Sequence, residues 1–179
     1  MRRLLLSLAG ACLPVAVGAT VLVPIEFREM VGISTVIVHG RVADLRAEWM
    51  DGRRSVETLV TVAASEYLKG NLTVDSIVVR VPGGQLGRYR TVFVGAPEFR
   101  VGDEVVLFLH GNRIVGLSQG AFRVVPDAQT GRPTVVSPIV MAASVDTGES
   151  IVRGDLRRKP VSLDAFRDSV RQLVGGGAR

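Results

Sequence analysis

Two histidines, His39 and His110, and a single cysteine, Cys12, are the side chains of this 179-residue chain most suited to metal or nucleophilic chemistry. Neither histidine has a carboxylate two residues away to start a ligand set, so no metal is expected. Cys12 lies in an apolar N-terminal segment that reads as removable, which leaves no thiol nucleophile. The serines read as turn and strand-edge residues, and no Gly-x-Ser-x-Gly spacing of a nucleophile elbow is expected among them. Asp103 and Glu104 are adjacent, so on a strand their carboxylates diverge to opposite faces and cannot act as a pair. No catalytic residue and no cofactor are assigned.

The loop Pro82-Gly83-Gly84-Gln85-Leu86-Gly87 is of a different kind. It follows a strand, but another strand follows it, so it lacks the helix N-terminus that a phosphate cradle needs. Glycines that supply positive φ account for it as a hairpin-like loop. Around it stand Arg80, Arg88, Arg90, Gln85 and Tyr89. Two readings stay open, a solvated loop with ordinary surface arginines and a lip that meets a ligand or partner. The binding candidates are Arg80, Gly83, Gly84, Gln85, Arg88 and Arg90. Trp49, near the tip of a long hairpin, joins them; it is expected to fold back over that hairpin rather than stand free as an anchor.

Strands must carry these residues. From Ser34 the pattern has period two: Val36, Val38 and Val42 share a face with Gly40, while His39 and Arg41 point the other way. Val56, Val60 and Val62 make a second such face, and Ile77, Val79 and Val81 a third. In Val105–Leu109 both parities are apolar, so that strand is expected to be central or covered by a helix. Asp51-Gly52, Lys69-Gly70-Asn71, Gly102-Asp103 and Gly111-Asn112 punctuate the runs, and Asp127 to Gly131 loops between Phe122–Val125 and Thr134–Val136.

The fold class is all-β, an antiparallel barrel of seven or eight strands, since closure removes exposed edges. A short helix around Glu26–Val31 precedes it. A second helix has Ser162 as N-cap, an apolar stripe of Leu163, Phe166, Val170 and Leu173, and Gly175 to Gly177 at its end. Arg167 and Arg171, at i, i+3 from Asp164 and Asp168, read as its solvated face.

The strand Thr35-Val36-Ile37-Val38-His39-Gly40-Arg41-Val42, the corner Glu66-Tyr67-Leu68-Lys69-Gly70 and the entry Gly102-Asp103-Glu104 recur together in a known order. So do Arg80-Val81-Pro82-Gly83-Gly84 and Gly95-Ala96-Pro97 downstream. Over about residues 30–125 the chain resembles exported bacterial proteins with an OB-like barrel of the netrin and tissue-inhibitor-of-metalloproteinases type. The resemblance implies the barrel, not an activity. Inhibitors of that type hold a protease zinc through an N-terminal cysteine, which a chain cleaved after Ala19 would not possess, so that mechanism does not carry over.

Met1-Arg2-Arg3, an apolar run from Leu4 to Val17 and the pair Gly18-Ala19 have the layout of a secretory leader. Pro14 breaks the run, which is short of the roughly 20 residues of a membrane span. Lipidation of Cys12 is the lesser reading, because Ala9 stands where leucine is usual. The divisions are a leader at 1–19, a segment at 20–33, the barrel at 34–136, an extension at 137–160 and the helix at 161–174. Residues 20–152 hold thirteen basic against fourteen acidic groups, and 153–179 seven against three. A near-neutral body with few aromatics is not a nucleic-acid groove. The expectation is an exported, monomeric, non-catalytic module that binds a protein or envelope component. A modulator of a secreted protease, or a hydrolase with a site inside the barrel, are the alternatives.

Overall fold

The structure, a computed structural model, describes residues 24–50, 52–137 and 160–176. The expected leader and nearly all of the expected extension lie outside the described residues, as does Gly177. Helix α1 (Phe27–Ile33) leads into the paired strands β1 (Val36–Met50) and β2 (Ser55–Lys69). Then come β3 (Ser76–Pro82), a small hairpin of β4 (Gly84–Leu86) and β5 (Tyr89–Thr91), β6 (Glu104–His110) and β7 (Arg113–Ile114). A 3-10 turn (Leu117–Gly120), β8 (Ala121–Pro126), β9 (Pro133–Val136), β10 (Val161–Ser162) and α2 (Leu163–Gly176) complete the order.

Eight of these strands form one sheet in the order β1-β2-β3-β7-β6-β8-β9-β10, and β1 also pairs with β6. Neighbours therefore run β1, β2, β3, β7, β6 and back to β1. Strand β1 serves two partners because it is bent: three register shifts interrupt its pairing with β2, after Ile37, His39 and Val42. At Gly40 a Cβ would sit 2.3 Å from the Ala63 carbonyl oxygen, so this approach of two backbones requires glycine.

One pairing departs from the antiparallel expectation. Strand β7 is the return arm of the tight turn at Gly111-Asn112, and it runs parallel to β3 at Arg80 and Arg113. That single bridge sets two arginines side by side.

The two faces of the sheet hold separate cores. On one lie Val38, Val42, Val60, Val62, Val79, Val81, Val105, Leu107 and Leu109, the period-two sets of the sequence. On the other, Ile37, Val106 and Phe108 meet Phe27 and Met30 of α1 and Leu163, Phe166 and Val170 of α2. Phe27, Phe108, Phe122 and Phe166 cluster with centroids 5.2–6.3 Å apart, mostly edge to face. Strand β6 is thus buried on both sides and paired on both edges, as its unbroken apolar run implies. Ser162 Oγ accepts the Ala165 N–H at 3.3 Å and caps α2 as expected. Helix α1 starts one residue later than expected and runs two further, to Ile33, where the Ser34 hydroxyl donates to the Met30 carbonyl at 2.7 Å.

Candidate functional site

Glu57 is the least expected feature: a carboxylate with no exposed surface, on β2. Burying a charge costs several kcal/mol per ion unless partners surround it. The sheet register supplies them. Glu48 lies directly across from Glu57 on β1, and such like charges repel unless a cation intervenes. Arg80 of β3 intervenes, its Nη2 in a short ion pair with Glu57 Oε1 and 2.9 Å from Glu48 Oε1. Arg113, brought alongside Arg80 by the parallel bridge, places Nη2 3.7 Å from Glu57 Oε2. That oxygen has no hydrogen bond of its own among the described residues.

Arg80 and Arg113 line a cleft of about 360 Å³ whose other walls are mainly apolar, among them Val56, Val81, Phe93 and Ile114. The loop 82–97 forms one side of it. The loop is braced, not free. Gly83 (φ 93°) donates to the Val56 carbonyl at 3.1 Å, its own carbonyl accepts the Thr58 hydroxyl at 2.8 Å, and Thr91 Oγ1 accepts Val56 N–H at 3.0 Å. Gly84 is packed so tightly that a Cβ would fall 2.6 Å from Thr58 Oγ1. Trp49 does not lie over its own hairpin alone: its ring meets Tyr89 of β5 edge on at 5.1 Å. Arg88 stacks on the other partner of that contact, with its guanidinium 5.1 Å from the Tyr89 centroid.

The sequence candidates therefore separate. Arg80 and Gly83 line the cleft, Gly84 and Trp49 hold the hairpin in place, and Gln85, Arg88 and Arg90 lie exposed on it. Glu57 and Arg113 are additions that the sequence reading missed. Glu57 sits in an ordinary alternating run, and only Arg113's position one residue after a Gly-Asn turn hinted at a short return strand.

His39 belongs to a different arrangement. It is buried, with Nε2 2.9 Å from Glu104 Oε1 and Nδ1 3.2 Å from Arg167 Nη2. A guanidinium only donates, so Nδ1 accepts and Nε2–H faces the carboxylate. Both ring nitrogens are occupied. Arg167 Nε also lies 2.9 Å from Glu66 Oε2, and Arg171 pairs with Glu66 too. The i, i+3 pairs to Asp164 and Asp168 form and Arg171 stays exposed, but the side is not solvated alone: Arg167 ties α2 to β1 and β2, and Arg171 to β2. His110 Nδ1 faces the Ile33 carbonyl at 3.0 Å.

One expectation needs correction. Gly116-Leu117-Ser118-Gln119-Gly120 does have the Gly-x-Ser-x-Gly spacing. It is not built as a nucleophile elbow: the strained positive φ falls on Leu117, not Ser118, and a strand rather than a helix follows. Among the described residues, no group of three histidine, cysteine or acidic side chains could hold a metal. Away from the cleft, burial and the nearby Asp75 charge push the Tyr67 phenol up, while the Thr130 hydroxyl and amide hold the Asp127 carboxyl low. Compared with known proteins, the chain matches no family model, no curated protein and no solved structure.

Proposed function

We propose that this chain is an exported, non-catalytic binding module that engages a protein or envelope component through the arginine-lined cleft. The scaffold is read as an OB-like barrel. Its support is the pairing circuit of five strands, with a long bent first strand shared between two partners and closure through one parallel bridge. Export rests on the N-terminal leader pattern.

The observation that carries the binding reading is the Glu57 cluster. A fold gains little from burying a carboxylate that apolar packing could replace. The arrangement instead fixes the direction of two guanidiniums at the mouth of an apolar cleft, which is how recognition sites are commonly built. The hydrolase alternative needs a histidine with a free nitrogen facing a cleft; His39 offers none, and His110, with Nδ1 on the Ile33 carbonyl, does not line the cleft.

The test is affinity capture from the native envelope and culture fluid. The bait with Phe93→Ala and Arg113→Ala together is expected to lose a partner that the unchanged bait and an Arg28→Ala control retain. A partner held equally by all three baits, or none held by any, rejects the reading.

A further inference from the structure

Resting on that reading, we infer that the cleft takes an acidic, apolar polypeptide segment: an apolar side chain enters the pocket and a carboxylate two residues along meets Arg113. Charge points this way. The cleft mouth is framed by Met50 and Ser55, which flank the turn bearing Arg53 and Arg54, and by Gly83 and Thr91, which flank the hairpin bearing Arg88 and Arg90. With Arg80 and Arg113 this gathers six arginines against Glu48, Glu57 and the turn's own Asp51, and Arg80 already engages both glutamates. Arg53, Arg54 and Arg90 form no ion pair among the described residues. Arg113 is half exposed, and its 3.7 Å contact with Glu57 leaves guanidinium donors for a second carboxylate.

The apolar half of the surface extends beyond the pocket. Val92, Phe93 and Val94 follow β5 with exposures of 72%, 50% and 71%, and Phe93 is itself a wall of the cleft. An exposed apolar run rimmed by charge marks an interaction surface. An extended peptide suits both parts, because side chains two residues apart point the same way, so an apolar one and an acidic one can reach the pocket and Arg113 from one face. A nucleic-acid strand would stack successive bases on a row of open aromatic rings; Phe93 is exposed beside the cleft, but the Tyr89 ring is already engaged by Trp49 and Arg88.

Three labelled degenerate nonapeptide pools decide it, each mixing Leu, Val or Phe at every position with Asp or Glu, with Lys or Arg, or with Ser or Thr. Anisotropy titrations use the full chain. The acidic pool is expected to bind at least tenfold more tightly than the others, more so at low salt. R113E should weaken it at least tenfold, and so should the double change R53E and R90E, whose sites are exposed and outside the core. Equal binding of all pools, or an acidic preference untouched by both variants, overturns the inference. So does binding to phosphatidylglycerol vesicles with no pool bound. If the capture experiment succeeds while the pools show no acidic preference, the cleft reading stands and only the chemistry assigned to its occupant falls.

Discussion

Arg80 and Arg113 look alike in the sequence, yet their surroundings give them unequal weight. Removing Arg80 leaves the fully buried Glu57 with only a 3.7 Å neighbour, whereas removing Arg113 leaves the Arg80 contact intact. Arg80→Ala should cost about 3 kcal/mol, in the range for orphaning a buried charge. Arg113→Ala should cost under about 1 kcal/mol, because its contact is long, its side chain is half exposed and the Arg80–Glu57 pair stays in place. Urea unfolding of the two variants checks this, and equal midpoints would contradict the account. None of this could be read beforehand. Val56-Glu57-Thr58 has the apolar-polar alternation of any half-exposed strand, and its cations arrive from 23 and 56 residues away only through sheet register. The Trp49 contact was no more legible, since its partner Tyr89 comes from a different hairpin.

At the level of elements, α2 is held by two mechanisms that can be separated. Its apolar stripe inserts Phe166 among three other phenylalanines, and its charged side delivers Arg167 to Glu66 and His39. Phe166→Ala should cost about 3–5 kcal/mol through the lost ring and the void it leaves. Arg167→Ala should cost about 1–2 kcal/mol, as expected for hydrogen bonds involving charged groups. Denaturant midpoints, together with amide exchange within α2, would show the order; an Arg167 effect exceeding that of Phe166 would reverse the ranking. The stripe and the Ser162 cap were visible in sequence because both depend on local spacing. The docking of Arg167 was not, because Glu66 is about a hundred residues distant and the i, i+3 acids offered a nearer explanation. The same limit explains the parallel β3–β7 bridge: a two-residue strand carries too little pattern to declare its direction.

For the molecule as a whole, the two cores are not independent, since β6 gives Val105, Leu107 and Leu109 to one and Val106 and Phe108 to the other. Loss of either should unseat the strand that both require. Trp49 fluorescence, reporting the far hairpin, and helical circular dichroism, reporting α1 and α2, are expected to trace one urea transition. Separate midpoints would mean that the faces melt apart. The doubly apolar run 105–109 announced this central position, while the closing contact between Val36–Arg41 and Glu104–Leu109 depends on a pairing that no local window contains. The β4–β5 hairpin has the opposite character: it attaches at its base and leaves Gln85, Arg88 and Arg90 outside the cores. Substitutions at these three exposed positions are insulated from stability. A lineage could therefore diversify what the hairpin greets, residue by residue, while β6 tolerates only exchanges between hydrocarbons of like volume, so novelty and heritage would reside in different stretches of the same polypeptide.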